Sequence, residues 1–201
     1  MTRKQFDELC KLHPYYRGRW GYYSAAMTIL RREGCREVLE IGPAMVPLVA
    51  GSQVMQFHKA SPHVRTASPT YVWDATQTPW PIGDKRYDAV VALQVWEHLQ
   101  GRQQAAFAEL RRVARFAVLS FPYRWKATKT DANHDVTDDT IAGWTMGHPI
   151  KDRVLVPDDE SPKLLRIVCS FAFADRAPAK GSVAAVTGSG RGGSRAEVVR
   201  T

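Results

Sequence analysis

The residues Ala89-Val90-Val91-Ala92-Leu93 form an unbroken apolar run with no polar side to turn toward water. A strand of this kind has to be covered on both faces, which is the situation of a parallel sheet flanked by helices. Phe116-Ala117-Val118-Leu119-Ser120-Phe121 repeats the pattern one element later. Between them, residues 101–114 have helical spacing, with Ala106, Phe107, Leu110 and Val113 on one face and Glu109, Arg111 and Arg112 expected outward. Strand, helix and strand in this order predict an α/β fold: a Rossmann-like, doubly wound, mostly parallel sheet in a three-layer α/β/α arrangement.

The other elements extend that frame. Residues 4–13 read as a helix with Phe6, Leu9, Cys10 and His13 in line, closed by Pro14. A run rich in aromatics and arginine, Tyr15 to Tyr23, leads into a second helix bearing Tyr23, Ala26, Met27 and Leu30, with Gly34 as its stop. Strands are expected at 37–42, 53–57 and, more weakly, 70–73, and a short helix at 138–145 capped by Thr137. Residues 153–156 and 164–173 have no helix between them, which predicts an antiparallel hairpin at one sheet edge. The expected organisation is a helical cap over 1–35, the α/β domain over 36–175, and a disordered basic tail over 176–201 that contains G-S-G-R-G-G-S-R.

Charge and cysteine content narrow the function classes. The net charge is +8, and half of it comes from the tail, where Arg176, Lys180, Arg191, Arg195 and Arg200 face only Glu197. No basic stripe alternates with aromatics, so solubility accounts for the balance better than nucleic-acid binding does. Cys10, Cys35 and Cys169 are odd in number and form no C-x-x-C pair, so neither a disulfide framework nor a metal site is expected. No apolar run is long enough for a membrane helix. The opening residues lack a secretory apolar core, which predicts a cytoplasmic location.

Two segments carry chemistry. Val38-Leu39-Glu40-Ile41-Gly42-Pro43 is a short strand running into glycine, where backbone can approach a ligand closely. Asp74-Ala75-Thr76 precedes Pro79-Trp80-Pro81 and then Tyr87-Asp88-Ala89-Val90-Val91-Ala92-Leu93-Gln94-Val95-Trp96-Glu97-His98-Leu99. Taken alone, Gly42 fits any tight strand–helix turn, and Asp74 fits a turn residue or helix cap. Their order and spacing resemble the class I methyltransferases that use S-adenosyl-L-methionine (SAM), in particular small bacterial members with an E-I-G-P first loop. The resemblance covers residues 36–121 and extends loosely to about 174. It implies that Glu40, Gly42 and Pro43 sit beside the methionine part of SAM. It further implies that Asp74 and Ala75 meet the adenine, and that Leu93 and Gln94 line the cofactor near its transferable methyl. Ionised carboxylates only accept hydrogen bonds, and SAM offers an ammonium and an amine to donate them.

The pattern is departed from in three places. Ala44 and Val46 replace the second and third glycines of the first loop, His58 stands where an acid normally holds the ribose, and the 51–72 segment is compact. These departures leave a non-catalytic binding protein of the same fold as an alternative. An RNA-associated methyltransferase using the basic tail is a third reading. The candidates for a catalytic group are His134, as a base beside Asp135, and Tyr16 in the aromatic run. Tyr16, Arg19, Trp20 and Tyr22 are candidates to cover the cofactor. Glu97 and His98, placed by the resemblance at the opening of the helix after the fourth strand, read as structural. Leu93-Gln94-Val95-Trp96 lacks the Asn/Asp-Pro-Pro of DNA amino-methylating enzymes, so DNA is not an expected substrate. The expected partner is a small-molecule acceptor methylated at oxygen or nitrogen, with no membrane and no metal.

Overall fold

The computed structural model describes residues 1–43, 45–57, 69–126 and 135–174. Its elements are α1 (Arg3–Leu12), α2 (Trp20–Arg32), β1 (Val38–Ile41), β2 (Gln53–Gln56), β3 (Tyr71–Val72), β4 (Tyr87–Leu93), α3 (Gln103–Val113), β5 (Ala114–Tyr123), α4 (Asp138–Trp144), β6 (Asp152–Pro157) and β7 (Leu165–Ala172). Short 3-10 turns cover Pro14–Tyr16 and Trp96–His98.

The strands form one sheet in the order β3-β2-β1-β4-β5-β7-β6. The first five are parallel, while β7 runs antiparallel to both β5 and β6. The closing hairpin is therefore present, with β7 inserted beside β5 and β6 at the edge. Chain order reverses between β1 and β4, which opens a crevice at the carboxyl ends of those strands.

Alternation along the strands sorts side chains between two cores. Val38, Ala89, Val91, Phe116, Val118 and Val168 face Tyr22, Tyr23, Ala26, Ile29 and Leu30 of α2, with Phe6 and Leu9 of α1 behind them. On the other face, Leu39, Val90, Ala92, Ala117, Leu119 and Phe171 meet Phe107 and Leu110 of α3, Ile141 of α4, Trp80 and Trp96. Residues 1–35 thus supply one whole layer of the sandwich.

Local chemistry sets the element ends. A capping box joins Thr2 and Gln5 at the start of α1, and another joins Thr137 and Thr140 at the start of α4. Gly34 adopts φ +68° and closes α2 while Cys35 N–H donates to Leu30 O at 3.1 Å.

Two expectations need correction. Glu109 is buried rather than outward: it accepts from Trp80 N–H at 2.6 Å and pairs with Arg112 at 2.6 Å. The partly apolar Arg112 side chain and the Trp80 backbone give this carboxylate charge and hydrogen bonds, which is what makes burial tolerable. Glu97 and His98 do not open α3; they lie on the separate 3-10 turn, with α3 starting at Gln103. Among the described residues, no helix is long and apolar enough to cross a membrane.

Candidate functional site

The crevice is built on three chain segments. The first is the crossover from β1 to β2, residues 42–52, which makes turns and no helix among its described residues. Gly42 has φ +57°, a region that favours glycine, and a Cβ there would stand 3.2 Å from Val95 Cγ2. The loops leaving β1 and β4 therefore touch at this glycine. Glu40 points to the α2 side and is buried. Its Oε2 accepts from Leu48 N–H at 2.7 Å, and its Oε1 accepts from Val49 N–H and Ser52 Oγ–H, each at 2.7 Å. Burial pushes this carboxyl up, and the accepted hydrogen bonds pull against that shift. Tyr16, fully buried, accepts at its hydroxyl from Met45 N–H at 2.9 Å and Val46 N–H at 3.2 Å. The Met1 ammonium donates to Leu48 O at 2.7 Å. The crossover is thus tied down from β1, from the 3-10 turn and from the chain start.

The second segment follows β3. Asp74 Oδ1 accepts from Thr76 N–H at 2.9 Å and from Thr76 Oγ1–H at 2.8 Å, making an Asx-type turn. The turn reading of Asp74 holds, yet Oδ2 has no hydrogen bond among the described residues. Trp73 is held by its indole N–H, which donates to Gln77 O at 2.9 Å.

The third segment leaves β4. Gln94 sits at φ +56°, an uncommon conformation for a residue with a side chain. Its backbone N–H donates to Ser120 O at 3.1 Å, and its amide Nε2 to Ser120 Oγ at 3.2 Å. These bonds to β5 hold the strained residue at the crevice floor.

Together the segments enclose a cleft of about 390 Å³, lined by Ile41, Gly42, Gln56, Phe57, Trp73, Asp74, Ala75, Thr76, Gln94, Val95, His98 and Leu99. A narrower extension shares Tyr15, Ile41, Gly42 and Gln94 with it and continues past Glu40, Pro43, Leu93, Arg19 and Tyr23. The groove therefore runs across the β1/β4 switch point. It joins Glu40, Gly42, Pro43, Asp74, Ala75, Leu93 and Gln94 from the sequence. Gln56, an uncharged amide, ends β2 at its wall. His58 and His134 lie outside the described residues. Tyr16 holds the crossover and is not among the residues lining the groove.

Of the aromatic run, Tyr15, Arg19 and Tyr23 line the groove. The Arg19 guanidinium lies 3.9 Å from the Tyr15 ring centre and donates to Tyr22 Oη at 2.7 Å. Trp20 instead packs on Phe6, with centroids 5.2 Å apart. Tyr15, Val95 and Leu99 were not singled out in the sequence. The first is one residue from Tyr16 in a 3-10 turn, and which of two adjacent tyrosines faces a groove depends on that turn's register.

One charged residue near the groove stands apart. Glu97 is 3% exposed, and burial pushes its carboxyl up to about 8, against the attraction of Arg166 and Arg19. Its Oε2 has no hydrogen-bond partner among the described residues.

No protein-family model matches the chain, and no curated protein sequence matches it. Solved structures do match. The methyltransferase domain of a bacterial Hen1 protein (CtHen1-C) superposes with a TM-score of 0.55 at 14% identity, covering 79% of this chain and all (100%) of that one. The N-terminal domain of EvdMO1 with SAH bound gives 0.52 at 12%, covering 76% and 81%. A putative methyltransferase from Haloferax volcanii, solved in complex with the Trm112 methyltransferase activator, gives 0.54 at 11%, covering 86% and 95%. The fold is that of the class I SAM-dependent methyltransferases. At these identities the likeness is one of fold.

Proposed function

We propose that the chain is a cytoplasmic SAM-dependent methyltransferase acting at oxygen or nitrogen of a small-molecule acceptor. The observation that carries this reading is the groove across the β1/β4 switch point, lined by left-handed Gly42 and by Asp74, whose Oδ2 has no hydrogen bond among the described residues. SAM supplies an electrophilic methyl on a sulfonium, so the transfer depends mainly on alignment.

The residues present fit such a group. Gly42 and Pro43 shape the backbone beside the methionine part. Glu40 fixes that backbone through the crossover, with its charge close behind. Asp74 Oδ2 accepts from the adenine amine while Oδ1 keeps the turn, and Ala75 gives the ring an apolar neighbour. Leu93 and Gln94 border the methyl. His58 remains the proposed partner of the ribose, and His134 the proposed base. Tyr16 acts through the crossover, by holding Met45 and Val46. Residues 1–35 serve as the cap, and 176–201 as a tail separate from the α/β domain.

The tied-down crossover favours one other reading, a non-catalytic protein of the same fold, because a glycine-rich loop opening into a helix is replaced by turns. Calorimetric titration of SAM into the full chain and its Asp74→Asn variant separates the two. Asparagine keeps the Oδ1 turn but presents N–H where a carboxylate oxygen accepts. A methyltransferase site predicts tight binding by the parent and a loss of about 10- to 100-fold in the variant, corresponding to about 1.5–3 kcal/mol. Equal affinities contradict the placement of the adenine, and no binding by the parent favours the non-catalytic reading.

A further inference from the structure

The narrow extension of the groove contains a charge with no counterpart. Arg19 is the only arginine or lysine among the described residues that line either the wide cleft or this extension. It is half-buried, and its partners are all neutral. Nε donates to Tyr15 O at 2.7 Å, Nη1 donates to Tyr22 Oη at 2.7 Å, and the guanidinium lies 3.9 Å from the centre of the Tyr15 ring. Among the described residues, Nη2 makes no hydrogen bond and no ion pair joins Arg19 to a carboxylate. Glu40 lines the same extension, but its oxygens are taken by Leu48, Val49 and Ser52. Two neutral acceptors and a ring thus fix the guanidinium in place and leave its charge unanswered, which costs free energy wherever water is partly excluded.

Size and chemistry say what answers it. A guanidinium is charged at every physiological pH, and its planar fork of N–H donors matches a carboxylate. The extension has about 40 Å³ of free space, against about 390 Å³ in the wide cleft. A single water needs roughly 10–15 Å³, so a carboxylate fits beside Arg19 and a ring system does not. Tyr15, Ile41, Gly42 and Gln94 line both spaces, which makes them one groove. A ligand that fills it has a ring system at one end and a slender chain ending in an anion at the other. SAM has this outline, with adenosine at one end and the α-carboxylate of its methionine chain at the other.

We propose that Arg19 binds the carboxylate of the cofactor's methionine chain, and that the groove thereby selects SAM and its demethylated product, SAH, over adenosine thioethers that lack this group. The inference rests on the methyltransferase reading. With adenine at Asp74 and the carboxylate at Arg19, the cofactor is held at both ends, and the sulfur between them is set against Leu93 and Gln94. Tyr15 acts through Arg19, as its carbonyl and ring hold the guanidinium.

Calorimetric titration of SAH, and of its decarboxylated analogue, into the full chain and into Arg19→Gln tests the proposal. The analogue keeps the adenosine, the sulfur and the ammonium and lacks only the carboxylate. The parent should bind SAH about 10- to 100-fold more tightly than the analogue, the range for a charge-assisted hydrogen-bonded pair. In Arg19→Gln the SAH affinity should fall by the same factor while the analogue's stays within about twofold, so that the two ligands become nearly equal. Arg19→Lys, which keeps the charge without the fork, should restore part of the preference. The proposal is overturned if Arg19→Gln weakens both ligands equally, which would make Arg19 a support of the cap only. The parent's own preference requires no variant to fold: equal binding of SAH and the analogue overturns the anchor and leaves the methyltransferase reading standing. Failure of the parent to bind either ligand at millimolar concentration overturns that reading and the anchor with it.

Discussion

Two carboxylates of similar burial are both pushed up by desolvation, but their hydrogen bonding differs. Glu40 spends both oxygens on backbone and hydroxyl donors of the crossover. Glu97 leaves one oxygen with none among the described residues. Glu97 therefore costs stability. Its folded value, about 8, lies above the ordinary 4.5. Below pH 4.5 the side chain is protonated whether folded or unfolded and has no effect. As pH rises from 4.5 to 8 the unfolded chain gives up the proton while the folded one keeps it, so stability is lost across that window and stays lost above it. The full difference is about 5 kcal/mol. Denaturant unfolding of the parent and of Glu97→Gln should give stabilities that diverge in favour of the variant as pH rises from 4.5 to 9. Parallel pH profiles would show that Glu97 is ionised and paired.

At the level of elements, the crossover from β1 to β2 is the part most exposed to small changes. Eleven residues join two parallel strands, near the minimum for such a connection. Removing the Tyr16 hydroxyl by Tyr16→Phe strips two backbone N–H groups of their acceptor. A loss of about 1–3 kcal/mol in unfolding free energy is expected, together with weaker SAM binding. Unchanged stability and affinity would show that the loop holds itself. Thr137→Ala, which removes the cap of α4, should cost about 1 kcal/mol and leave SAM affinity alone.

The sequence made the strands and helices legible because apolar runs and helical spacing are local signals. The turn role of Asp74 was readable from its position after β3. Three features were not readable. Glu109 looked outward, because its pairing with Trp80 depends on a contact 29 residues away. That no helix follows Gly42 among the described residues goes with Tyr16, 29 and 30 residues away, accepting from the N–H groups of Met45 and Val46, and with Glu40 accepting from those of Leu48 and Val49. The Glu97–Arg166 neighbourhood brings together β7 and the turn after β4, which no spacing rule connects.

For the whole molecule, the cap and the α/β layers share one fold. The residues of α1 and α2 cover Val38, Ala89, Val91 and Phe116, all of which would meet water without them. A chain starting at residue 36 should accordingly fail to give a cooperative unfolding transition, and a well-folded product would show that the cap is dispensable. The central claim, a SAM site at the β1/β4 switch point, is tested most directly by the thermal unfolding of the full chain with and without SAM and SAH. A ligand at about 100 times its dissociation constant adds about 2.7 kcal/mol. In a domain of this size, that is a rise of roughly 5–10 °C. The account predicts such a rise with both ligands; an unchanged midpoint at millimolar concentrations of either would contradict it.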